Sequence, residues 1–409
     1  MDWMQKALDC AVEKAARNQE RIGNVLREFR GCPDGQYFKG ERDGYLPLSH
    51  IFNWTQSFFT GESYWAYRIT KDESYLKWMY QFYQEYYDKV FRTPLETMHD
   101  TGFLYTPYAV ALYEATGDPK MKELGVKAAD ELAKRFVPNG GYIRAWGRMD
   151  GETPPYVDPE LAKDHFFTES RGLAIIDCMM NLALLFWAGR ETGHPYYTRI
   201  AQTHADTTLR YFVREDDSVC HAYRFDEETG EPLGVENYCG FSKESHWARG
   251  TAWVVYGYAI AYDYTKKAEY LDTSVRLARK FVELSGKDGI PVWDFRLPAD
   301  TPAIYCGKKQ PYYDWDVTKP ENTKYNLDTS ASAIVVCGIL EIIKHREEPD
   351  LKAAADTMLQ TLCENYVDYD QAVPGLLSHQ NGTMSYTSYG DYYLMEALAT
   401  RLHGFQRIW

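Results

Sequence analysis

Basic residues are in short supply. Lysine and arginine number 45 against 59 aspartates and glutamates in 409 residues, a formal net charge of −14. A chain of that sign is repelled by polyphosphate and anionic lipid, which excludes nucleic acid and membrane surfaces as partners. No apolar run approaches the ~18 residues of a spanning helix. The start, Met1-Asp2-Trp3-Met4-Gln5-Lys6, lacks a basic segment followed by an apolar one, so no secretory signal is expected. Its eight cysteines (Cys10, Cys32, Cys178, Cys220, Cys239, Cys306, Cys337 and Cys363) form no C-x-x-C pair. Cys220-His221 has no second pair at metal-ligand spacing. Reduced thiols in a cytoplasmic protein, with no structural metal and no cofactor, are the expectation.

Aromatic residues, by contrast, are plentiful: 34 tyrosines and 11 tryptophans. Used in bulk, such rings suit thick helix packing or a cleft for sugar rings. The apolar fraction of 45% is ample for a large core. The length admits two or three average domains or one large barrel.

One phrase repeats after a first helix over about Trp3 to Arg30: an apolar helix, a short turn, then an amphipathic helix. Turns fall at Thr70-Lys71-Asp72, Thr116-Gly117-Asp118, Thr192-Gly193-His194, Thr265-Lys266-Lys267 and His345-Arg346-Glu347, and Leu402-His403-Gly404 closes the chain. Helices before the turns, such as Phe103 to Ala115, Ile175 to Ala188 and Ala252 to Tyr262, are apolar nearly all round and should be buried. Those after them (Leu124 to Phe136, Tyr196 to Phe212, Tyr270 to Leu284, Leu351 to Tyr366) are one-sided. An inner ring wrapped by an outer ring follows: an all-α fold, an (α/α)6 barrel of six helical hairpins forming one domain over residues 1–409. Short strand signals at Gly141 to Trp146, Val219 to Phe225 and Ile290 to Phe295 read as β-hairpins in the connections, and Gly151 to Pro159 and Pro298 to Pro320 as loops over the mouth.

The repeat can be measured. Trp54 to Thr70 is 16 residues, Asp100 to Gly117 is 17, Asp177 to Gly193 is 16, Arg249 to Thr265 is 16, Asp328 to His345 is 17 and Asp391 to Gly404 is 13. At ~1.5 Å per residue the common offset is a helix of about 24 Å. Trp54, Asp100, Asp177, Arg249, Asp328 and Asp391 are therefore expected at one end of the barrel. Several carboxylates around one cavity cannot all ionise cheaply, and Asp177, embedded in apolar residues, is the candidate for a proton donor. Each has a plainer reading. Asp100, Asp328 and Asp391 could simply cap helices, Asp177 could bond Asn181, and Arg249 could pair with a barrel aspartate.

The set His99-Asp100-Thr101-Gly102-Phe103, Ile176-Asp177-Cys178-Met179-Met180-Asn181-Leu182, Trp247-Ala248-Arg249-Gly250 with Ala252-Trp253, Asp328 with Ser330-Ala331-Ser332-Ala333, and Gly390-Asp391-Tyr392 resembles the unsaturated glucuronyl hydrolases of glycoside hydrolase family 88, in order from about Trp54 to Leu398. The resemblance implies an (α/α)6 barrel. It also implies a substrate: oligosaccharides ending in a 4,5-unsaturated hexuronic acid, attacked by hydration of the C4=C5 enol ether. By the same resemblance Asp177 is the general acid/base, and Asp100 holds ring hydroxyls and stabilises charge. Trp54, Trp146, Trp247 and Trp253 are implied as aromatic walls, and His99, His221 and Arg249 as polar contacts. His165, His204 and His246 read as structural.

Four departures stand out. Cys239 precedes Gly240 where the family commonly has Gln, and Thr251 replaces the Gln of Arg-Gly-Gln-Ala-Trp. The stretch Arg148 to Ser170 is long for the family, and Gly382 to Gly390 holds no Lys or Arg to meet a sulfated aglycone. Two alternatives stay open: an unsaturated rhamnogalacturonyl hydrolase of the related family 105, and a sugar-binding barrel without catalysis.

Overall fold

A computed structural model describes residues 2–26, 35–37, 51, 53–152, 168–297, 326–380 and 385–409. Its inner helices are Phe58–Thr70, then Thr101–Tyr105 continued by Ala111–Thr116, Cys178–Thr192, Ala248–Thr265, Thr329–His345 and Ser388–His403. Each packs on the next, and the last packs on the first, closing a ring. Outside it run Asp2–Ile22, Ser74–Tyr80 with Tyr83–Phe91, Pro119–Ala133, Pro195–Tyr211, Ala268–Ser285 and Pro349–Thr361. This is the expected barrel of hairpins. Asp2–Ile22 is the outer partner of both the first and last inner helices.

The burial pattern follows from the sequence. Ala248–Thr265 is buried from Ala248 to Ala261, whereas Ala268–Ser285 buries one stripe through Leu271, Val275, Ala278 and Phe281. Left-handed residues Lys71, Gly117, Gly193, Lys266 and Gly404 end the inner helices at the expected turns. Proline at the first turn then starts three outer helices, at Pro119, Pro195 and Pro349.

Several local readings need correcting. The helix expected over Phe103 to Ala115 is broken by a π-turn, Thr106–Val110. Pro107 has no N–H to give and its ring crowds the preceding turn. Thr60 Oγ1 donates to the Pro107 carbonyl at 3.0 Å. The first helix ends at Ile22, not near Arg30, and 27–34 lie outside the described residues. Ile175 belongs to a strand, and the helix after it begins only at Cys178. Strand β1 (Phe136–Val137) pairs with β2 (Tyr142–Ile143). A three-stranded sheet joins β3 (Leu173–Ile175), β4 (Ala222–Phe225) and β5 (Pro232–Glu236). β3 and β5 carried no recognised signal. Ile290 to Phe295 makes only isolated bridges, to Trp247 and Leu327. Of the two loops read as covering the mouth, all but Gly151 and Glu152 lie outside the described residues. Among those described, no helix is long and apolar enough to cross a membrane.

At the end of the ring away from the aspartates, Trp409 enters the axis. Its indole N–H donates to Glu396 Oε2 at 2.9 Å, and its ring stacks on Tyr393 at 5.9 Å and meets Phe103 edge-on at 6.0 Å. Nearby, Asp263, Glu341 and His345 are close enough together to hold a cation. The Arg407 guanidinium takes that place, 2.7 Å from both carboxylates.

Burial alone would raise the Glu341 pKa, but Arg407, His345 and Lys344 outweigh it and bring it down to about 2. The folded value lies below the ~4.3 of an unfolded glutamate. Its stabilisation is therefore full above that pH and is lost as pH falls toward the folded value. Arg407→Met should cost about 1.5–3 kcal/mol in urea unfolding at pH 7, because it removes a charge-assisted hydrogen bond from the buried Glu341 carboxylate, which keeps Lys344 and His345. It should also flatten the acid limb of the stability profile relative to wild type.

Candidate active site

All six measured residues lie at the starts of inner helices, at one end of the ring. Their side chains then diverge. Asp328 caps its helix, accepting from Ala331 N at 3.3 Å, and pairs with Arg249 Nη1 at 2.5 Å. Asp391 turns outward: its oxygens accept from Tyr37 Oη (2.8 Å), Leu376 N (2.9 Å) and Leu377 N (2.8 Å). Burial pushes its pKa up to about 6. The strongly desolvated aspartate is thus a structural one. It ties the Leu376-Leu377 segment to the ring and leaves the expected circle of six.

Asp100 and Asp177 occupy N-cap positions, yet neither side chain caps its helix. Both carboxylates are released toward other partners. Two contacts bring their helix starts together. Asn181 Oδ1 accepts the Phe103 amide at 2.8 Å, and Asn181 Nδ2 donates to the Asp177 carbonyl at 3.2 Å. Gly102 lies so close to this turn that a Cβ there would stand 2.5 Å from Asn181 Cα. So Asn181 accounts for the Asp177 backbone, and the side chain is left to the site.

Each aspartate faces an imidazole. His99 Nε2 lies 3.0 Å from Asp100 Oδ1, off the line of a hydrogen bond, while its Nδ1 accepts the Trp146 amide at 3.2 Å. His221 Nε2 lies 3.6 Å from Asp177 Oδ2, and its Nδ1 accepts the amides of Tyr238 (3.1 Å) and Cys239 (3.3 Å). The sheet sets the second pair: β3 runs beside β4 with Ile175 opposite Ala222, and Ile176 N donates to the His221 carbonyl at 2.9 Å. Burial disfavours a charged His221, but the Cys239 thiol and Asp177 outweigh it and push its pKa up to about 9, which asks for a proton on a nitrogen already in use. A second proton would have to displace two amides from Nδ1. The ring therefore acts as the neutral Nε2–H tautomer, aimed at Asp177. Asp177 Oδ2 accepts no hydrogen bond, and its side chain is 15% exposed against 8% for Asp100. The apolar residues around Asp177 in sequence pack away from its carboxylate.

Trp146 stands between the pairs, its ring 6.2 Å from His99 and 6.3 Å from His221. Trp54 stacks on Tyr389 at 4.8 Å and leans on Phe103 at 5.3 Å. Trp247 meets His221 edge-on at 5.2 Å and lies under the Arg249 guanidinium at 4.7 Å. Trp253 is fully buried between Phe103 (5.2 Å) and Tyr393 (5.3 Å), beneath the walls. Arg249 is committed to Asp328, its plainer reading, but remains stacked between Trp247 and Tyr389. Two aromatic members were not anticipated. Tyr389 precedes Gly390-Asp391, and Tyr238 meets Trp146 edge-on at 5.0 Å. Adjacency to Cys239 was the only sequence signal for Tyr238. His204 and His246 are structural as expected, each pushed down to about 3 by burial. His165 lies outside the described residues, as do 381–384.

Two uncapped carboxylates, each beside a fixed imidazole, among aromatic walls at the mouth of an (α/α)6 barrel, define a sugar-cleaving hydrolase. Residues 34–283 match the family model of Glycosyl Hydrolase Family 88, more than half of the chain, and the chain belongs to that family. It is 33% identical to the unsaturated glucuronyl hydrolase of Bacillus sp. strain GL1, over 99% of this chain and 98% of that one. It is 32% identical to the unsaturated chondroitin disaccharide hydrolase of Streptococcus pneumoniae, over 93% of this chain and 90% of the other. The crystal structure of the unsaturated glucuronyl hydrolase of Streptococcus agalactiae superposes with a TM-score of 0.80 at 29% identity, covering 100% of this chain and 94% of that one.

Gly102→Ala tests the junction. The new methyl meets backbone, which cannot move aside as a flexible side chain could. It should cost about 1–3 kcal/mol in urea unfolding. It should also lower kcat more than the stability loss explains, because it separates the two aspartate-bearing helix starts.

Proposed function

We propose that this chain releases 4,5-unsaturated hexuronic acid from the non-reducing end of lyase-generated oligosaccharides of glycosaminoglycan type. The observation that carries this reading is the pair of helix-start aspartates that do not cap, each beside an imidazole, with Trp146 between them. The names of the glucuronyl and chondroitin disaccharide hydrolases it resembles support the substrate class.

Asp177 protonates C4 of the enol ether through its unbonded Oδ2, and the double-bond electrons form the new C–H bond. Positive charge gathers at C5 and the ring oxygen, where the Asp100 carboxylate offsets it. Water adds at C5 and returns its proton to Asp177. The hemiketal then opens, and the hemiacetal left at C1 expels the aglycone sugar. Neutral His221 presents its Nε2–H to Asp177 from 3.6 Å while that carboxyl alternates between acid and base. His99 faces Asp100 at 3.0 Å, and Trp54, Trp146, Trp247 and Trp253 form the sugar-binding walls and floor with Arg249. End-to-end similarity to these relatives supports one catalytic domain over 1–409. The six described cysteines, all unbridged, support work in the reducing cytoplasm.

Unsaturated disaccharides from hyaluronan, chondroitin, heparin and rhamnogalacturonan provide the test, read by loss of the enol-ether ultraviolet absorbance. Loss with a glycosaminoglycan product is expected. Loss confined to the pectin fragment would move the chain to the rhamnogalacturonyl reading, and no loss with any would leave only a binding barrel. Asp177→Asn should lower turnover by about 1,000-fold with an unchanged helical circular dichroism spectrum. Retained activity would remove Asp177 as the acid.

A further inference from the structure

Arg135, just beyond the outer helix Pro119–Ala133, is 1% exposed. All three of its guanidinium nitrogens donate to backbone carbonyls. Nε reaches the Arg144 carbonyl at 2.9 Å, Nη1 that of Thr97 at 2.7 Å, and Nη2 that of Trp146. Among the described residues no carboxylate stands within ion-pairing distance of it. A buried cation held only by carbonyls is costly. Burial, then Arg144, lowers its pKa to about 9, which still leaves it charged at neutral pH, and the carboxylate that favours that charge is Asp100.

The three carbonyls belong to the segments that build the site. Thr97 lies three residues before Asp100 and is itself tied by its hydroxyl to the Pro94 carbonyl at 2.7 Å. Trp146 sits at φ +40°, a left-handed conformation that a bulky residue adopts only when its surroundings enforce it. Here both of its peptide groups are held: the N–H by His99 Nδ1 and the carbonyl by Arg135. The rigid, planar fork of a guanidinium can span such a set of acceptors at fixed separations, and an ammonium cannot.

We propose that Arg135 is a positioning residue of the hydrolytic site: from behind, its guanidinium fixes the Asp100 segment and the Trp146 wall relative to each other. The inference rests on the reading of Asp100 and Trp146 as parts of the reaction site. Arg135 touches no substrate and acts only through what it holds.

Arg135→Lys in the full chain keeps the charge and loses the fork, and Arg135→Met removes both. With the unsaturated chondroitin disaccharide, Arg135→Lys should lower kcat/KM by about 100-fold, the scale of a 1 Å misplacement, and Arg135→Met by more. Melting temperature and circular dichroism report whether each variant folds; if Arg135→Met does not, the lysine variant decides. Combined with Trp146→Phe, Arg135→Lys should cost less than the product of the two single losses, because both act on one wall. Hydrogen exchange gives a readout independent of activity: the Trp146 amide should exchange faster in Arg135→Lys while inner-helix amides do not change. Wild-type kinetics in Arg135→Lys, or a loss that follows the melting temperature with Trp146 exchange unchanged, overturns the proposal. If the wild-type chain clears no unsaturated disaccharide, the functional reading fails, and the exchange experiment still decides what Arg135 holds.

Discussion

The close approach of two helix starts, Gly102 against the Asn181 turn, is the contact on which the site depends. Two inner helices normally keep their first turns apart by the width of their side chains. Here one residue has none, so the backbones meet and Asn181 bonds into both chains, taking the Phe103 amide and giving to the Asp177 carbonyl. The Asn181 oxygen takes the place of an Asp100 cap, and at Asp177 the first helix amides, Met179 N and Met180 N, donate to the Ile176 and Asp177 carbonyls instead. Their carboxylates face the mouth, and the charge there is managed by two imidazoles whose far nitrogens are occupied by backbone amides. The aromatic walls are hung from the same framework. Trp146 is pinned by His99 and Arg135, and the sheet that carries His221 also receives the Ala145 amide at Leu173.

Four helix-start aspartates that look equivalent in sequence divide into three kinds in the structure. Asp100 and Asp177 leave their helices uncapped by their side chains and lie beside imidazoles. Asp328 caps its helix and also neutralises Arg249. Asp391 is buried among amides and a phenol, and serves the wall of the barrel. The distinction is one of donors. Where the local backbone or a cation already offers several, a carboxylate is consumed. Where Asn181 or the preceding backbone carbonyls take the helix-start amides instead, the carboxylate is not consumed.

The barrel was largely legible because its signal is periodic. An inner helix must be apolar on every face, an outer one on a single stripe, and glycine or lysine in the left-handed conformation stops five of the six inner helices, four of them 16 or 17 residues after the measured residue. Irregular backbone was not legible. Pro107 could have flagged the π-turn, but a proline inside an otherwise apolar helix does not say how the chain will accommodate it. Strands β3 and β5 are three and five residues long and draw their stability from partners remote in sequence, so no local pattern marks them.

By itself, then, the sequence determined the ring of helical hairpins, the end at which the six measured residues begin their helices, and the two motifs holding Asp100 and Asp177. Those follow from spacing along single helices, which depends on local geometry alone. Only the tertiary structure decided which aspartates are spent as caps and ion pairs, that His221 faces Asp177 across a sheet, and that Arg135 sits behind Trp146. Each of these depends on which donors and acceptors meet across segments tens of residues apart, and no period in the chain encodes that meeting.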